Sequence, residues 1–325
     1  MKRLRTFAML DRAFPGFTNL AVFITCFAMS PALSGQQRGQ GPPPLVKENA
    51  TMKVSDHVYV IPDNGVPVVP NVGIVVGNKG TLVIDTGLGP RNAETVLREV
   101  AKVSKNPDLY LVSTHFHPEH AAGSSAFPPS AKFIVSQAQK KELDELGLEM
   151  NQRFAGFSPL NAELLKGVKF RVPDITFERD YTVDLGGLRV QLLSLGSMHT
   201  RGDTMAFVEP DRVLFAGDVV MNKAFLAFGQ SGSVQTWVDV LGRLSALRPV
   251  LVVPSHGPDG DGSIIEQQRN VLQVLEGRVR ELKMQGKTAD EAAQTLTAEF
   301  QGTYPDWTGP NRVGAAVRVI YAEVR

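Results

Sequence analysis

Three histidines and one glutamate lie within six consecutive residues, in the segment THFHPEH at positions 114–120. An apolar run at 109–113 comes immediately before this segment and predicts a buried strand. Because alternate side chains of an extended chain face the same side, His115 and His117 would point to one position. Glu119 and His120 would begin a new turn and face a neighbouring position. Imidazole and carboxylate groups at this spacing are typical ligands of a transition metal, so the fold must bring further ligands to this strand end.

Three more candidate ligands follow predicted strands later in the chain. His199 lies in the loop GSMHTRGD, Asp218 ends the sequence FAGD, and His256 lies in PSHGP after the apolar run 250–253. A rigid sheet commonly presents a site on several loops at its strand ends. We therefore expect these side chains to converge on the first histidine segment. The sixth histidine, His57, belongs to no motif and is expected to be structural or exposed.

Taken together, these motifs resemble those of the metallo-β-lactamase-fold hydrolases, over about residues 54–258. The family motif His-x-His-x-Asp-His is matched by His115, His117 and His120, and Glu119 stands where the family normally has aspartate. The family's later histidine, its bridging aspartate and its last histidine are matched, in that order, by His199, Asp218 and His256. Asp85 opens a DTG sequence that resembles the family's Asp-x-Gly, which is expected to support the first histidines.

The resemblance implies two metal sites and a ligand set for each. The first ion would be held by His115, His117 and His199, the second by Glu119, His120 and His256, and Asp218 would bridge them. This is the pattern of the glyoxalase II-like branches, whereas the lactamase branch has a cysteine in its second site. Two Zn²⁺ ions are expected, and a single Zn²⁺ or Fe²⁺ is the alternative.

Glu119 is the main departure from the family pattern. Its side chain is one methylene longer than aspartate, whereas metal sites tolerate errors in ligand distance of only about 0.2 Å. Pro118 fixes its own φ and restricts His117 to extended geometry, which would help to place the longer side chain. Three outcomes stay open: a normal second site, a weakened one, or a mononuclear protein. Glu119 and Asp218 are also the candidate catalytic residues, which would orient a metal-activated hydroxide and accept its proton.

The order of secondary structure predicts an α/β fold. Short apolar strands, helices, further strands and then helices indicate a four-layer αββα sandwich, which is also the fold of the family it resembles. We predict a metallo-β-lactamase-like domain at 51–258 and a helical C-terminal extension at 259–325 packed on it. Two apolar segments, 62–70 and 221–233, either line the substrate site or pack on the core.

The N-terminal residues 1–34 are typical of a signal peptide. A basic start is followed by an apolar stretch at 20–29 and by small residues, and this stretch is too short to span a bilayer comfortably. An uncleaved anchor is the alternative. Residues 35–50 are rich in Gln, Gly and Pro and predict a flexible leader. We expect a periplasmic or secreted protein without stable membrane contact after cleavage. Its one cysteine, Cys26, would be removed, which excludes a cysteine ligand.

The charge balance limits the partners of the chain. With 34 basic and 33 acidic residues, it has no excess of positive charge for nucleic acid. We expect a small-molecule substrate, and the sequence neither indicates nor excludes an oligomer. The predicted function is hydrolysis of a small amide or lactam, an ester or a thioester. The alternatives are an Fe(II) enzyme resembling persulfide dioxygenases, with His115, His199 and Asp218 as ligands, and a non-catalytic accessory binding protein.

Overall fold

The computed structural model describes residues 42–229 and 231–324, so the predicted signal peptide and most of the predicted leader lie outside it. Strands of the described chain are β1 (Met52–Lys53), β2 (Val58–Ile61), β3 (Val72–Val76), β4 (Gly80–Ile84), β5 (Asp108–Val112), β6 (Lys132–Ser136), β7 (Ile175–Phe177), β8 (Asp180–Asp184), β9 (Arg189–Leu193), β10 (Met205–Val208), β11 (Val213–Gly217) and β12 (Leu251–Pro254). Its α-helices are α1 (Gly89–Val103), α2 (Pro118–Ala121), α3 (Gln137–Ala155), α4 (Pro159–Leu164), α5 (Val234–Ala246), α6 (Ser263–Met284), α7 (Ala289–Thr303) and α8 (Asn311–Glu323).

Helix starts follow local sequence signals. The Ser136 hydroxyl caps α3 by accepting from the Gln139 backbone N–H. Thr288 and Glu291 form a capping box at the start of α7, which satisfies backbone donors that have no partner within the helix. The chain from 137 to 164 forms two helices, because α4 starts anew at Pro159, with the Ser158 hydroxyl as its cap.

The strands form two sheets. The first has the order β1-β2-β3-β4-β5-β6-β7, antiparallel up to β4 and parallel from β4 onward. The second has the order β12-β11-β10-β9-β8, in which only the β11–β12 pair is parallel. Parallel neighbours end at the same edge of a sheet. The loops after β4 and β5 are therefore close together, and so are those after β11 and β12.

The two sheets pack face to face and are covered by helices on their outer faces. Leu82 and Ile84 of the first sheet share a buried cluster with Phe215 of the second. Gly73 allows this close packing, because a Cβ there would lie 2.5 Å from the Phe215 ring. On the first outer face the strands pack against Val96 of α1, and on the second they pack against Trp237 of α5. The predicted four-layer αββα sandwich is thereby confirmed.

The C-terminal helices belong to this second outer layer. Buried residues of α6, α7 and α8 share one cluster with α5 and with the second sheet. The buried Gln268 of α6 donates to the carbonyls of Met221 and Ala224 at 2.7 and 2.8 Å, which joins α6 to the loop after β11. Along the described part of the chain, no helix has both the length and the apolar character needed to cross a membrane.

The segment before β1 differs from the expected flexible leader. Residues 42–50 lie along α1, where the Asn92 side chain accepts from the Val46 N–H at 2.8 Å and donates to the Pro44 carbonyl at 3.0 Å. The Glu99 carboxylate accepts from the Asn49 N–H at 2.9 Å, and the Val46 side chain is buried. The partners that order this segment are 46 to 50 residues away in sequence, so its own composition could not reveal them.

We expect Asn92→Ala to release this segment. The change leaves the Val46 N–H and the Pro44 carbonyl without their partner, which should lower the free energy of unfolding by about 1–3 kcal/mol. Urea unfolding and hydrogen exchange at the Val46 amide measure the effect. Glu94→Ala, on the exposed side of α1, is the matched control and should change stability by about 0.5 kcal/mol or less. Equal effects of both variants would contradict a packed segment.

Candidate metal centre

The loop after β5 supplies the first group of ligands. His117 is the N-terminal cap residue of α2, with an extended backbone (ψ 150°) ahead of Pro118, so its ring points to the same side as that of His115. The distance from His117 Nδ1 to His115 Nε2 is 3.0 Å, and the distance to His199 Nε2 is 3.2 Å. The ligand atoms of these three histidines all lie within 4.8 Å of one another.

A second group is formed where α2 turns the chain. Glu119 and His120 lie in this short helix, and the nearest atoms of their side chains, Oε1 and Nε2, are 3.6 Å apart. His256, in the loop after β12, completes the group, again with all ligand atoms within 4.8 Å of one another. Glu119 therefore lies beside the position at which the family resemblance would place the second ion.

Asp218 lies between the two groups. Its Oδ2 is 3.5 Å from His199 Nε2, and its Oδ1 is 3.9 Å from His256 Nε2. Gly217 before it has φ +59°, and a Cβ there would lie 3.2 Å from the Thr114 Cβ. The glycine thus lets the end of β11 approach the end of β5, which places the carboxylate between histidines of both groups.

Three of the histidine rings are oriented by a partner at Nδ1. That partner is Asp85 Oδ2 for His120 at 2.8 Å, the Ala227 carbonyl for His199 at 2.7 Å, and the Val69 carbonyl for His256 at 2.9 Å. A carbonyl oxygen can only accept, so Nδ1 of His199 and of His256 carries the proton. This tautomer leaves Nε2 free to bind a metal.

Asp85 connects the strand ends around the centre. It is buried with φ +69°, a conformation that is rare for a residue other than glycine. Its carboxylate accepts from the Thr114 N–H at 2.7 Å, the Thr114 hydroxyl at 3.0 Å and the Ser255 hydroxyl at 3.3 Å, besides His120. The sequence motif suggested a supporting role for Asp85, but it gave no sign of Thr114 or Ser255.

The residues fit a bound cation. Within the described chain, the buried atoms Glu119 Oε2, His120 Nε2 and Asp218 Oδ1 have no hydrogen-bond partner. Burying a polar atom without a partner is costly, and each of these atoms belongs to a candidate ligand group. Imidazole nitrogens combined with carboxylate oxygens, without sulfur, suit zinc or iron.

The electrostatics also suit metal ligation. Burial lowers the pKa of His115 far below its usual value and that of His117 to about 3, so both rings are neutral, as ligands must be. Burial would lower the pKa of His120 as well, but the Asp85 carboxylate outweighs it and raises this pKa well above the usual value. A cation bound at His120 would therefore displace a proton.

Both carboxylates of the centre are held in the ionised form. Burial would raise the pKa of Asp218, but the electrostatic interaction with His256 and His199 lowers it well below its usual range. The pKa of Glu119 is lowered in the same way against its burial, mainly by His120. Both carboxylates are therefore ionised and able to bind a cation.

The His199 loop has supports that the sequence did not reveal. Asp203 accepts from the N–H and hydroxyl of Thr200 at 2.6 to 3.0 Å, and its burial raises its pKa to about 6. Glu142 of α3 accepts from the N–H groups of Arg201 and Gly202, both at 2.9 Å. For the support by Glu142, the sequence offers only an acidic residue within a helical segment, and its burial is seen only in the structure.

Both apolar segments named from the sequence, 62–70 and 221–233, contain side chains that pack on the core. Phe225 and Leu226 are buried among the C-terminal helices, so they pack on the core. In the loop 62–70, Val69 is buried and its carbonyl orients His256. His57 takes no part in the metal groups and pairs with Asp211 at 2.8 Å.

A pair of aromatic rings that sequence reasoning missed adjoins the first group. The buried Phe154 ring of α3 lies 5.9 Å from the His117 ring, and the Phe157 ring lies 4.8 Å from the Phe154 ring. Phe157 is 55% exposed. These rings lead from the candidate ligands to the protein surface.

Comparisons with known proteins find relatives of this chain. A linear primary-alkylsulfatase from Pseudomonas sp. (strain ATCC 19151) is 24% identical over 256 residues, which cover 67% of this chain and 48% of that protein. The chain thus spans about half the length of this relative. A metallo-beta-lactamase type 2 from Bacteroides fragilis is 22% identical over 225 residues, which cover 68% of this chain and 82% of that protein.

Solved structures show the same fold. The stereoselective inverting sec-alkylsulfatase from Pseudomonas sp. aligns with a TM-score of 0.62 and 15% identity, covering 84% of this chain and 50% of that one. The profile of the Metallo-beta-lactamase superfamily matches residues 65–256, which include all the candidate ligands. The chain therefore belongs to the metallo-beta-lactamase superfamily.

Proposed function

We propose that this protein is a zinc-dependent hydrolase with two metal ions, acting on a small amide or lactam, an ester or a thioester. The observation that carries the proposal is the convergence of two three-residue ligand groups on either side of Asp218. The family membership supports hydrolysis, and the glyoxalase II-like assignment of ligands rests on the sequence resemblance, in which Asp218 matches the bridging aspartate. A periplasmic or secreted location is also proposed, on the sequence of residues 1–34 alone.

The chemistry needs a nucleophile and a proton acceptor. Zinc held by imidazole and carboxylate ligands lowers the pKa of coordinated water to about 7 and so supplies hydroxide at neutral pH. Asp218 is ionised and faces both groups, so it is placed to orient this nucleophile and accept its proton. Glu119 is the second candidate, since it is ionised and its Oε2 has no hydrogen-bond partner in the described chain.

The position of Glu119 supports a second site despite its extra methylene. Its carboxylate approaches His120 and His256 closely enough for one ion to touch all three. The residue lies in the first turn of α2, which Pro118 starts.

The names of the relatives widen the set of substrates to be tested. One relative is named an alkylsulfatase and another a metallo-beta-lactamase, so sulfate esters and β-lactams join the panel. The exposed Phe157 ring, which packs on Phe154 near His117, favours a substrate with an apolar group beside the scissile bond, since aromatic rings bury large apolar areas.

A second candidate function is an iron-dependent oxygenase. His115, His120 and Asp218 form a group of two histidines and one carboxylate, which is the ligand set of non-haem Fe(II) oxygenases. His199, which the sequence suggested in place of His120, also lies near Asp218, with 3.5 Å between their nearest atoms. One bound iron and consumption of oxygen would favour this candidate over hydrolysis.

We expect the purified protein to hold two zinc ions per chain and to hydrolyse at least one substrate class of the panel. His117→Ala removes a ligand, so it should lower the zinc content and reduce turnover by more than about tenfold, since even the loss of a partner behind a ligand has effects of 10–100-fold. Elemental analysis and a hydrolysis assay measure both effects.

His57→Ala is the matched control for this experiment, because this histidine lies outside the metal groups. It should keep full metal content and activity. Unchanged metal content and turnover in His117→Ala would refute the assignment. Two zinc ions without turnover on any substrate of the panel would favour an accessory binding protein.

Phe157→Ala should weaken selection for substrates with an apolar chain. Each buried methylene contributes about 0.8 kcal/mol, so we expect kcat/KM for a hexanoyl ester to fall by roughly 3- to 10-fold, with little change for the acetyl ester. Leu148→Ala is the control, since Leu148 is also an apolar side chain of this region, 68% exposed on α3. An equal loss of kcat/KM for both esters would exclude a role of Phe157 in binding the apolar chain.

A further inference from the structure

We propose that Asp63 and Asn71 are positioning residues that hold His256 in place for the ligand group it forms with Glu119 and His120. The inference rests on the proposed function, because it concerns the second of two metal ions. These two residues lie near the two ends of the loop between β2 and β3, and neither belongs to a sequence motif.

Asn71 brackets His256 along the chain. Its side-chain amide donates to the carbonyls of Pro254 at 2.9 Å and Gly257 at 2.8 Å, and its backbone N–H donates to the Ser255 carbonyl at 2.6 Å. The residue is only 6% exposed, so these bonds are shielded from water. The backbone on both sides of the histidine is therefore attached to one buried side chain.

Asp63 completes the attachment from the other end of the loop. Its Oδ2 accepts from the Gly257 N–H at 2.7 Å and its Oδ1 accepts from the Gly65 N–H at 2.9 Å. The Asp63 backbone N–H donates to Asn71 Oδ1 at 2.8 Å. The two residues thus form one connected unit of hydrogen bonds that closes the loop and attaches it to the segment carrying His256.

The loop closed by this unit also orients the imidazole ring. The Val69 carbonyl, between Asp63 and Asn71, accepts from His256 Nδ1 at 2.9 Å. Its neighbour Val68 has φ +56°, a strained conformation for a β-branched residue that persists only where the surroundings impose it. The position of the carbonyl therefore depends on both ends of the loop being held.

The first ligand group has a separate support. Ring orientation at His199 comes from the Ala227 carbonyl, and its loop is held by Glu142 of α3. Neither support shares a hydrogen bond with Asp63 or Asn71. Loss of Asp63 or Asn71 should therefore lower the affinity for the second ion only, and loss of Glu142 should lower the affinity for the first. A purely structural role would lower the affinities for both ions alike.

The test is a Zn²⁺ titration in competition with a chromophoric chelator, which resolves the affinities of two ions. We expect Asn71→Ala to weaken the second ion by roughly 10- to 100-fold, in line with the effect of partners behind metal ligands, and the first ion by less than about threefold. The matched variant Glu142→Gln should show the reverse order, with the first ion weakened more.

Two variants of Asp63 distinguish a loss of positioning from a folding defect. Asp63→Asn keeps one acceptor oxygen for the two N–H donors, so it should retain part of the second ion's affinity that Asp63→Ala loses. Thermal unfolding of the metal-free variants shows whether each is folded. If Asn71→Ala does not fold, the two Asp63 variants still test the proposal. Equal affinities of Asp63→Asn and Asp63→Ala for the second ion would overturn it.

The outcomes separate this inference from the proposed function. A wild-type protein that binds two ions, together with an Asn71→Ala variant that keeps the second or loses both equally, overturns the positioning role alone. A wild-type protein that binds only one ion at saturating Zn²⁺ overturns the two-ion function, and the positioning role with it. Selective loss of the second ion in Asn71→Ala supports both.

Discussion

One buried carboxylate joins the parts of the protein that form the candidate metal centre. Asp85 follows β4, and it accepts hydrogen bonds from Thr114 after β5, from His120 in α2 and from Ser255 after β12. These partners belong to both sheets. Because a buried carboxylate must keep its partners, this contact sets the position of one sheet edge against the other. Ligands of the first sheet can therefore meet Asp218 and the later histidines.

Strand direction explains why ligands that are far apart in sequence converge. The pairs β4–β5 and β11–β12 are both parallel, so each sheet brings two loops to one edge. Asp218 and His256 leave neighbouring strands of the second sheet, and the histidine segment leaves the first. Packing of the two sheets against each other then closes the centre, and most of its polar atoms become buried. Burial keeps two of the imidazoles neutral, and electrostatic interactions with the neighbouring histidines keep the carboxylates ionised.

The two ligand groups share Asp218 but depend on different supports. The loop of His199 is held by α3, and the loop of His256 is held by the segment after β2. Glu119, the main departure from the family pattern, belongs to the second group and lies in the short helix α2.

The sequence by itself determined the secondary structure, the four layers and the candidate ligands. Short apolar strands, helices, further strands and then helices occur in the predicted order, because alternating and continuous apolar residues mark the side chains that become buried. The ligands stood out since their chemistry and spacing are rare. Only the tertiary structure decided how residues 42–50 pack and which distant backbone groups Glu142, Asp63 and Asn71 bind. Their partners lie up to 194 residues away, and single polar residues leave no periodic pattern from which such contacts could be read.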